Sequence, residues 1–224
     1  MNYLAIDTSG NYLTVAAVKD GRAFYSFVPD CAMKHSVTLM GEVEKVLSQA
    51  ELSLDDCDFF AAVVGAGSFT GIRIGISAAK GFALACGKPT LAVTSFDTLA
   101  YNTLETDGAG AKNTANAKNA LCLVDAMHGY YYACGYSGEK VTVQPAFLSE
   151  AEVLRYVNDG FILYSGAEIP LSKKVEVTVV DPVAGLIAAV DAKCKNPENF
   201  GELTALYIRK SSAEINLEKG YKVH

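Results

Sequence analysis

Short runs of β-prone residues open the chain. Residues 3–7, 12–18 and 22–27 are such runs, separated by the polar turns Ser9-Gly10-Asn11 and Lys19-Asp20-Gly21. The pattern predicts a three-stranded antiparallel meander. The period then changes. Leu39, Met40, Val43, Val46, Leu47 and Ala50 recur at three- and four-residue spacing, which predicts a helix over 35–50. Residues 59–64 form a short apolar strand. The Gly-rich turn Gly65-Ala66-Gly67-Ser68 leads into a second helix over 69–86, ended by Gly87-Lys88-Pro89. Residues 90–93 read as a strand and 95–104 as a short helix with Ser95 as its N-cap.

Residues 105–119 break this pattern. They hold only Ala, Gly, Asn, Thr, Lys and two acids, with no apolar period, and read as a linker or flexible loop. The earlier order then restarts, with strands over 121–125, 130–136 and 141–147. A helix over 149–158 follows, with Ser149 and Glu152 placed as a capping box. Strands over 161–164 and 176–180 and a Pro-initiated helix over 182–193 complete it. Both halves run strand–strand–strand–helix–strand, and both first strands end in Asp, at Asp7 and Asp125. That order predicts an α/β fold with mixed sheets and two related subdomains.

Composition narrows the function classes. The 224 residues carry 19 basic and 25 acidic side chains, a net charge of −6 and a pI near 5.1. This argues against unaided tight binding of nucleic acid, which usually needs a basic face. No apolar run approaches the roughly 20 residues of a membrane helix, so no membrane association is expected. The first residues read as a strand rather than a signal peptide. Six cysteines without a C-x-x-C pair point to a reducing, cytoplasmic setting. Three histidines leave little for a histidine metal site or a His-dependent triad.

Several clusters admit two readings. Asp7-Thr8-Ser9 could hold a metal–phosphate group or form an Asx-type turn. The turn before the second helix could cradle an anion on backbone N–H groups, although no G-K-[ST] follows it. Gly71, Gly75 and Ala79 share one helix face and could seat on the protein's own sheet or against a partner helix. The apolar stripe of the first helix could be core or a docking face. His35 reads as a polar residue at a helix start. Tyr130, Tyr131 and Tyr132 suit a strand better than a ligand site. Cys122 and Cys134, equidistant from His128, are expected to face each other across a hairpin as reduced thiols. Lys173-Lys174 and Arg209-Lys210 read as solvated dipeptides.

The run Gly65 to Gly75, GAGSFTGIRIG, closely resembles the signature of the bacterial TsaB (YeaZ-type) family, with Ala66 where Pro is usual. Supporting matches are Leu4-Ala5-Ile6-Asp7-Thr8, His35-Ser36 with Leu39-Met40, Asp125 with Gly129 and Tyr132, and Leu206-Tyr207-Ile208-Arg209. Gly41 and Met127-His128 depart from the usual pattern. The resemblance implies an actin-like, Hsp70-like ATPase fold of the ribonuclease H-like class, with a docking subdomain over 1–104, a linker over 105–119 and a smaller subdomain over 120–224. It implies an accessory role in making N6-threonylcarbamoyladenosine at position 37 of tRNAs that read ANN codons. The expected partners are a TsaD-like transferase, a TsaE-like ATPase, a second copy of this chain when TsaD is absent, and tRNA only through the complex.

Compared with TsaD-like paralogues, the two metal-binding histidines fall on Ser95 and Leu99, neither a good metal ligand. The resemblance therefore implies no catalytic residue, metal or cofactor of this chain's own, with any ATP or ADP held by the complex. Asp7, Thr8 and Asp125 are its weak nucleotide-site candidates. The implied partner interface is His35, Leu39, Met40, Val43, Val46, Leu47, Phe69, Gly71, Ile72, Arg73, Gly75, Ile76 and Ala79. The competing readings are a peptidase-like enzyme of the related glycoprotease grouping and a weak nucleotide-binding protein of the same fold.

Overall fold

The computed structural model describes residues 1–102 and 119–209. Its first half runs β1 (Tyr3–Asp7), β2 (Leu13–Lys19), β3 (Arg22–Val28), α1 (His35–Ala50), β4 (Phe59–Val63), α2 (Phe69–Cys86), β5 (Thr90–Val93) and α3 (Ser95–Asn102). The second half runs β6 (Ala120–Asp125), β7 (Tyr130–Ser137), β8 (Lys140–Ser149), α4 (Glu150–Asn158), β9 (Ile162–Ser165), β10 (Thr178–Val179) and α5 (Pro182–Lys193). The expected helices over 35–50, 69–86 and 182–193 match α1, α2 and α5 to the residue. The expected linker lies outside the described residues except for Asn119.

The two sheets have one topology. The first is ordered β3-β2-β1-β4-β5 and the second β8-β7-β6-β9-β10. In each, an antiparallel meander continues into two parallel strands. The duplicated mixed sheets expected from element order are therefore present. Cys122 and Cys134 pair across the β6–β7 hairpin as free thiols. Burial raises both thiol pKa values, that of Cys134 to about 11.

Strand alternation sorts the core into layers. On β1, Leu4 and Ile6 face α1 and α2 with Leu39, Val43, Val46, Ile72, Ile76 and Ala79. Tyr3 and Ala5 face α5, where Leu186, Ala189 and Val190 pack with Phe59 and Leu91. On β6, Cys122 faces Phe96, Leu99 and Ala100 of α3. Leu121 and Leu123 face the opposite way, toward Val153 of α4. The layers are thus α1/α2, first sheet, α5/α3, second sheet, α4.

This layering crosses the expected boundary. Helix α3, from the first half, packs on the second sheet, and α5, from the second half, packs on the first. The two helices also press together: a Cβ at Gly185 would meet the Thr98 carbonyl oxygen. Beyond α5 the chain stays with the first half. Phe200 bridges Leu91, Leu203 enters the α1/α2 core and the Leu206 amide donates to the Val64 carbonyl at 2.7 Å. A split at 105–119 therefore does not separate two independent cores. Apolar periodicity marks a helix's buried face but not which sheet buries it.

Helix termini follow local chemistry, with one correction. Ser149 and Glu152 form the expected capping box, and Asp181 caps α5 ahead of Pro182. The cap of α3 is Thr94, not Ser95. Thr94 Oγ1 accepts from the Asp97 amide at 3.0 Å, and Asp97 accepts from the Thr94 amide at 2.7 Å. The Ser95 hydroxyl is used elsewhere, donating to the Ala66 carbonyl at 2.6 Å.

Candidate functional site

The two hairpins β1–β2 and β6–β7 face one cleft, and their first strands end alike. Asp7 Oδ1 accepts from the Ser9 amide at 2.8 Å, and Asp125 Oδ1 accepts from the Met127 amide at 2.8 Å. Both are Asx turns, in which the carboxylate satisfies an amide two residues on. Their surroundings differ. Asp7 is buried and also accepts from the Ser9 hydroxyl at 2.7 Å and the Tyr12 hydroxyl at 3.3 Å. Asp125 is half-buried and borders the cleft.

Burial holds the Asp7 carboxyl above its ordinary pKa, against the opposing pull of its Ser9 and Tyr12 hydrogen bonds. Between the ordinary carboxylate value, about 3.9, and the raised native one, the folded state keeps a proton that the unfolded state has lost. Stability therefore falls as pH rises through that window. Asp7→Asn is expected to melt higher than the native protein at pH 7, with the gap closing below pH ~4. Thermal melts across that range test this, and a native protein that is the more stable at pH 7 would contradict it.

The Gly-rich loop packs on the first hairpin. The Ser68 amide donates to the Ser9 carbonyl at 2.8 Å, and Thr8 Oγ1 donates to the Gly71 carbonyl at 2.7 Å. A Cβ at Gly67 would strike the Ser9 carbonyl oxygen, and one at Gly71 the Thr8 carbonyl oxygen. The Gly71 amide donates to Ser68 Oγ at 3.2 Å. The Ser68 amide of the loop and the Gly71 amide of α2 are thus spent inside the fold, and Gly67 and Gly71 serve close approach to the backbone of the first hairpin.

Between the hairpins lies a cleft of about 620 Å³. Its wall includes Tyr12, Ser95, Thr98 and Leu99 from the first half, and Val124, Asp125, Tyr132 and Glu168 from the second. Asp7 and Thr8 do not line it, because their polar atoms are consumed beneath its floor. Of the three nucleotide-site candidates only Asp125 borders the cleft. Among the described lining residues, Asp125 and Glu168 are the charged ones, and none of them is Lys, Arg or His. Among the described residues no group of three or more His, Cys, Asp or Glu could hold a metal ion.

The expected partner interface divides into two parts. His35, Leu39, Val43, Val46, Leu47, Gly71, Ile72, Gly75, Ile76 and Ala79 are buried within the chain. His35 Nε2 lies 2.9 Å from the Tyr12 carbonyl oxygen. These ten side chains are core, because the apolar stripe of each helix faces the first sheet. Met40 and Arg73 are exposed and Phe69 is half-buried. Phe69 stacks on Tyr207 with ring centroids 4.6 Å apart, and Arg73 Nε donates to the Tyr207 hydroxyl at 2.8 Å. The outward side carries apolar residues that the periodic reading missed. Met33 is 94% and Val37 81% exposed, beside Met40 at 54%. Val37 carries a sequence signal, as an apolar residue off the buried stripe, whereas Met40 is already part of the expected interface.

The family model for TsaD, tRNA N6-adenosine threonylcarbamoyltransferase, matches residues 17–192. The chain is 26% identical over 222 residues to the TsaB tRNA threonylcarbamoyladenosine biosynthesis protein of Bacillus subtilis (strain 168), covering 96% of this chain and 91% of that one. It is 34% identical over 140 residues to the TsaB of Escherichia coli (strain K12), a stretch covering 62% of this chain and 57% of that one. The chain belongs to the TsaD family and is of its TsaB (YeaZ) type. The structure of YeaZ from Pseudomonas aeruginosa superposes with a TM-score of 0.69 at 21% identity, over 92% of this chain and 99% of that one. The fold is therefore that of YeaZ, with two mixed sheets of one topology. Among the described residues no helix is long and apolar enough to cross a membrane.

Proposed function

We propose that this protein is a non-catalytic subunit in tRNA threonylcarbamoyladenosine biosynthesis. In this reading it docks on a TsaD-like transferase through the outward face of α1 and the start of α2. The transferase then modifies position 37 of tRNAs that read ANN codons. A TsaE-like ATPase joins the assembly, and tRNA is reached through the partners. Without the transferase, the same face would join two copies of this chain.

The observation that carries the docking reading is the stripe Met33, Val37 and Met40, solvent-exposed beside a helix whose opposite side is fully packed. Clustered exposed apolar side chains tend to mark partner sites. Two helices meeting a like pair would pack by ridges and grooves. The non-catalytic reading is supported by Ser95 and Leu99: the Ser95 hydroxyl is bound to Ala66 and Leu99 is core.

The test is size-exclusion chromatography with light scattering on a mixture with the TsaD-like transferase of the same organism. The native chain should give a 1:1 complex. Val37→Glu combined with Met40→Glu should weaken it roughly 100-fold while leaving the melting temperature unchanged, since both side chains are exposed. Val43→Glu would not serve, because Val43 is 3% exposed and a charge there would unfold the chain. No complex with the native chain would overturn the reading, and full binding by the double variant would move the docking face elsewhere.

A further inference from the structure

We infer that the outer edge of β3 pairs with β3 of a second copy of this chain, antiparallel about a two-fold axis at Tyr25. The pairing uses neither Val37 nor Met40, so it does not rest on the docking reading. Each sheet has two edge strands, β3 and β5 in the first and β8 and β10 in the second. An edge strand presents unpaired backbone N–H and C=O groups, and natural proteins usually blunt it. Three of the four edges are blunted here. β5 is bridged by Phe200, and the Gly201 amide donates to the Thr90 carbonyl. β10 has only two residues. β8 carries Lys140 and Pro145 and shifts register against β7. β3 has none of these devices. Its seven residues run in unbroken register on β2 without proline or lysine, and among the described residues no segment pairs with its outer side.

A strand that pairs with its own copy must be self-complementary, and β3 is so on both faces. With residues 22–28 fully overlapped, Tyr25 meets the partner's Tyr25, Ala23 meets the partner's Phe27, and Arg22 meets the partner's Val28. Phe24 and Val28 pack toward α1, so Ala23, Tyr25 and Phe27 share the other face. All three are exposed, Tyr25 at 57%. The pairing joins them into one strip, with a ring against a ring at the axis and a small side chain against each Phe27. The α1 face is complementary in charge. The Ser26 hydroxyl donates to Glu42 Oε2 at 2.5 Å, which holds that carboxylate over β3. Arg22 lies over the Phe24 ring at 5.0 Å and makes no ion pair among the described residues. In the pair, the partner's Arg22 falls diagonally across from Ser26, about 7–8 Å away along the backbone, so its guanidinium reaches Glu42. The two-fold axis repeats this contact and keeps the two Arg22 residues about 20 Å apart.

The test is sedimentation velocity of the full chain carrying Val37→Glu and Met40→Glu, so that pairing through the outward face of α1 is removed. This parent should dimerise with a Kd of about 10–100 µM, because a seven-residue strand pair is a small interface. Tyr25→Lys and Tyr25→Glu, each added to it separately, should weaken the dimer at least about tenfold, since like charges then meet at the axis. Their melting temperatures should match that of the parent, because Tyr25 is exposed. An equimolar mixture of the two variants should pair at least about tenfold more tightly than either alone, since opposite charges then meet. A parent that stays monomeric at about 0.5 mM would overturn the proposal. So would a dimer indifferent to both Tyr25 variants, or a mixture that pairs no more tightly than its components.

Discussion

Gly71→Ala is expected to lower stability by about 3 kcal/mol, against an intrinsic helix gain of about 1 kcal/mol for the same exchange. Gly71 lies on the face of α2 that crosses the end of β1. A Cβ there would fall inside the contact distance of the Thr8 carbonyl oxygen, and 3.3 Å from Ser68 Cβ. The Thr8 carbonyl belongs to backbone anchored by β1–β2 pairing at Asp7–Thr14, so it has little freedom to yield. Thr8 Oγ1 also donates to the Gly71 carbonyl, so moving the helix breaks a buried hydrogen bond. For a chain of this length the cost corresponds to a melting temperature lower by about 6–12 °C. Gly81 is the internal control. It lies in the same helix with nothing within 4 Å of an added Cβ, so Gly81→Ala should stabilise by about 1 kcal/mol. Thermal melts of the two variants should move in opposite directions, and a Gly71→Ala protein with the native melting temperature would refute the close approach of α2 and β1.

Asp97→Ala should cost about 3 kcal/mol, because Asp97 joins three elements that the chain brings together from both halves. Its carboxylate accepts from the Thr94 amide and hydroxyl, each at 2.7 Å, at the start of α3. It accepts from Lys193 Nζ at 2.6 Å at the end of α5 and from the Tyr136 hydroxyl at 3.2 Å on β7. The Asp97 side chain is 8% and the Lys193 side chain 25% exposed, so the pair is only weakly screened. Removing Asp97 leaves Lys193 and Tyr136 without their acceptor and takes away the reciprocal half of the Thr94 cap. Lys193→Met removes one partner but keeps the cap, and should cost less. A double-mutant cycle in urea between the two should give a coupling of about 1–3 kcal/mol. Additive effects would mean that the ion pair does not tie α5 to α3.

Local order was legible in the residues. The turn chemistry of the first forty residues, the apolar period of α1 and α2 and the Ser149 capping box each rest on contacts within a few positions of the chain. So does the Cys122–Cys134 register, because a hairpin centred on His128 leaves little choice of pairing. The repeat was legible as element order, although the halves share little residue by residue.

The site was less legible, because burial is decided by what lies across the fold. Asp7 and Asp125 end equivalent strands and make equivalent turns, yet one is sealed under Ser9 and Tyr12 and the other borders a cleft. The stripe Leu39, Val43, Val46 and Leu47 has the period of a docking face and also of a core face; packing on the first sheet assigns it to the core and leaves Met33, Val37 and Met40 outside. The sequence by itself determined the elements, the Ser149 cap of α4, the duplicated order and the family, all of which depend on near neighbours or on a contiguous motif. Only the tertiary structure decided that α3 and α5 exchange sheets, that the glycines of α2 meet β1, and which charged groups line the cleft. Those outcomes depend on contacts between residues tens of positions apart, which periodicity along one chain does not encode.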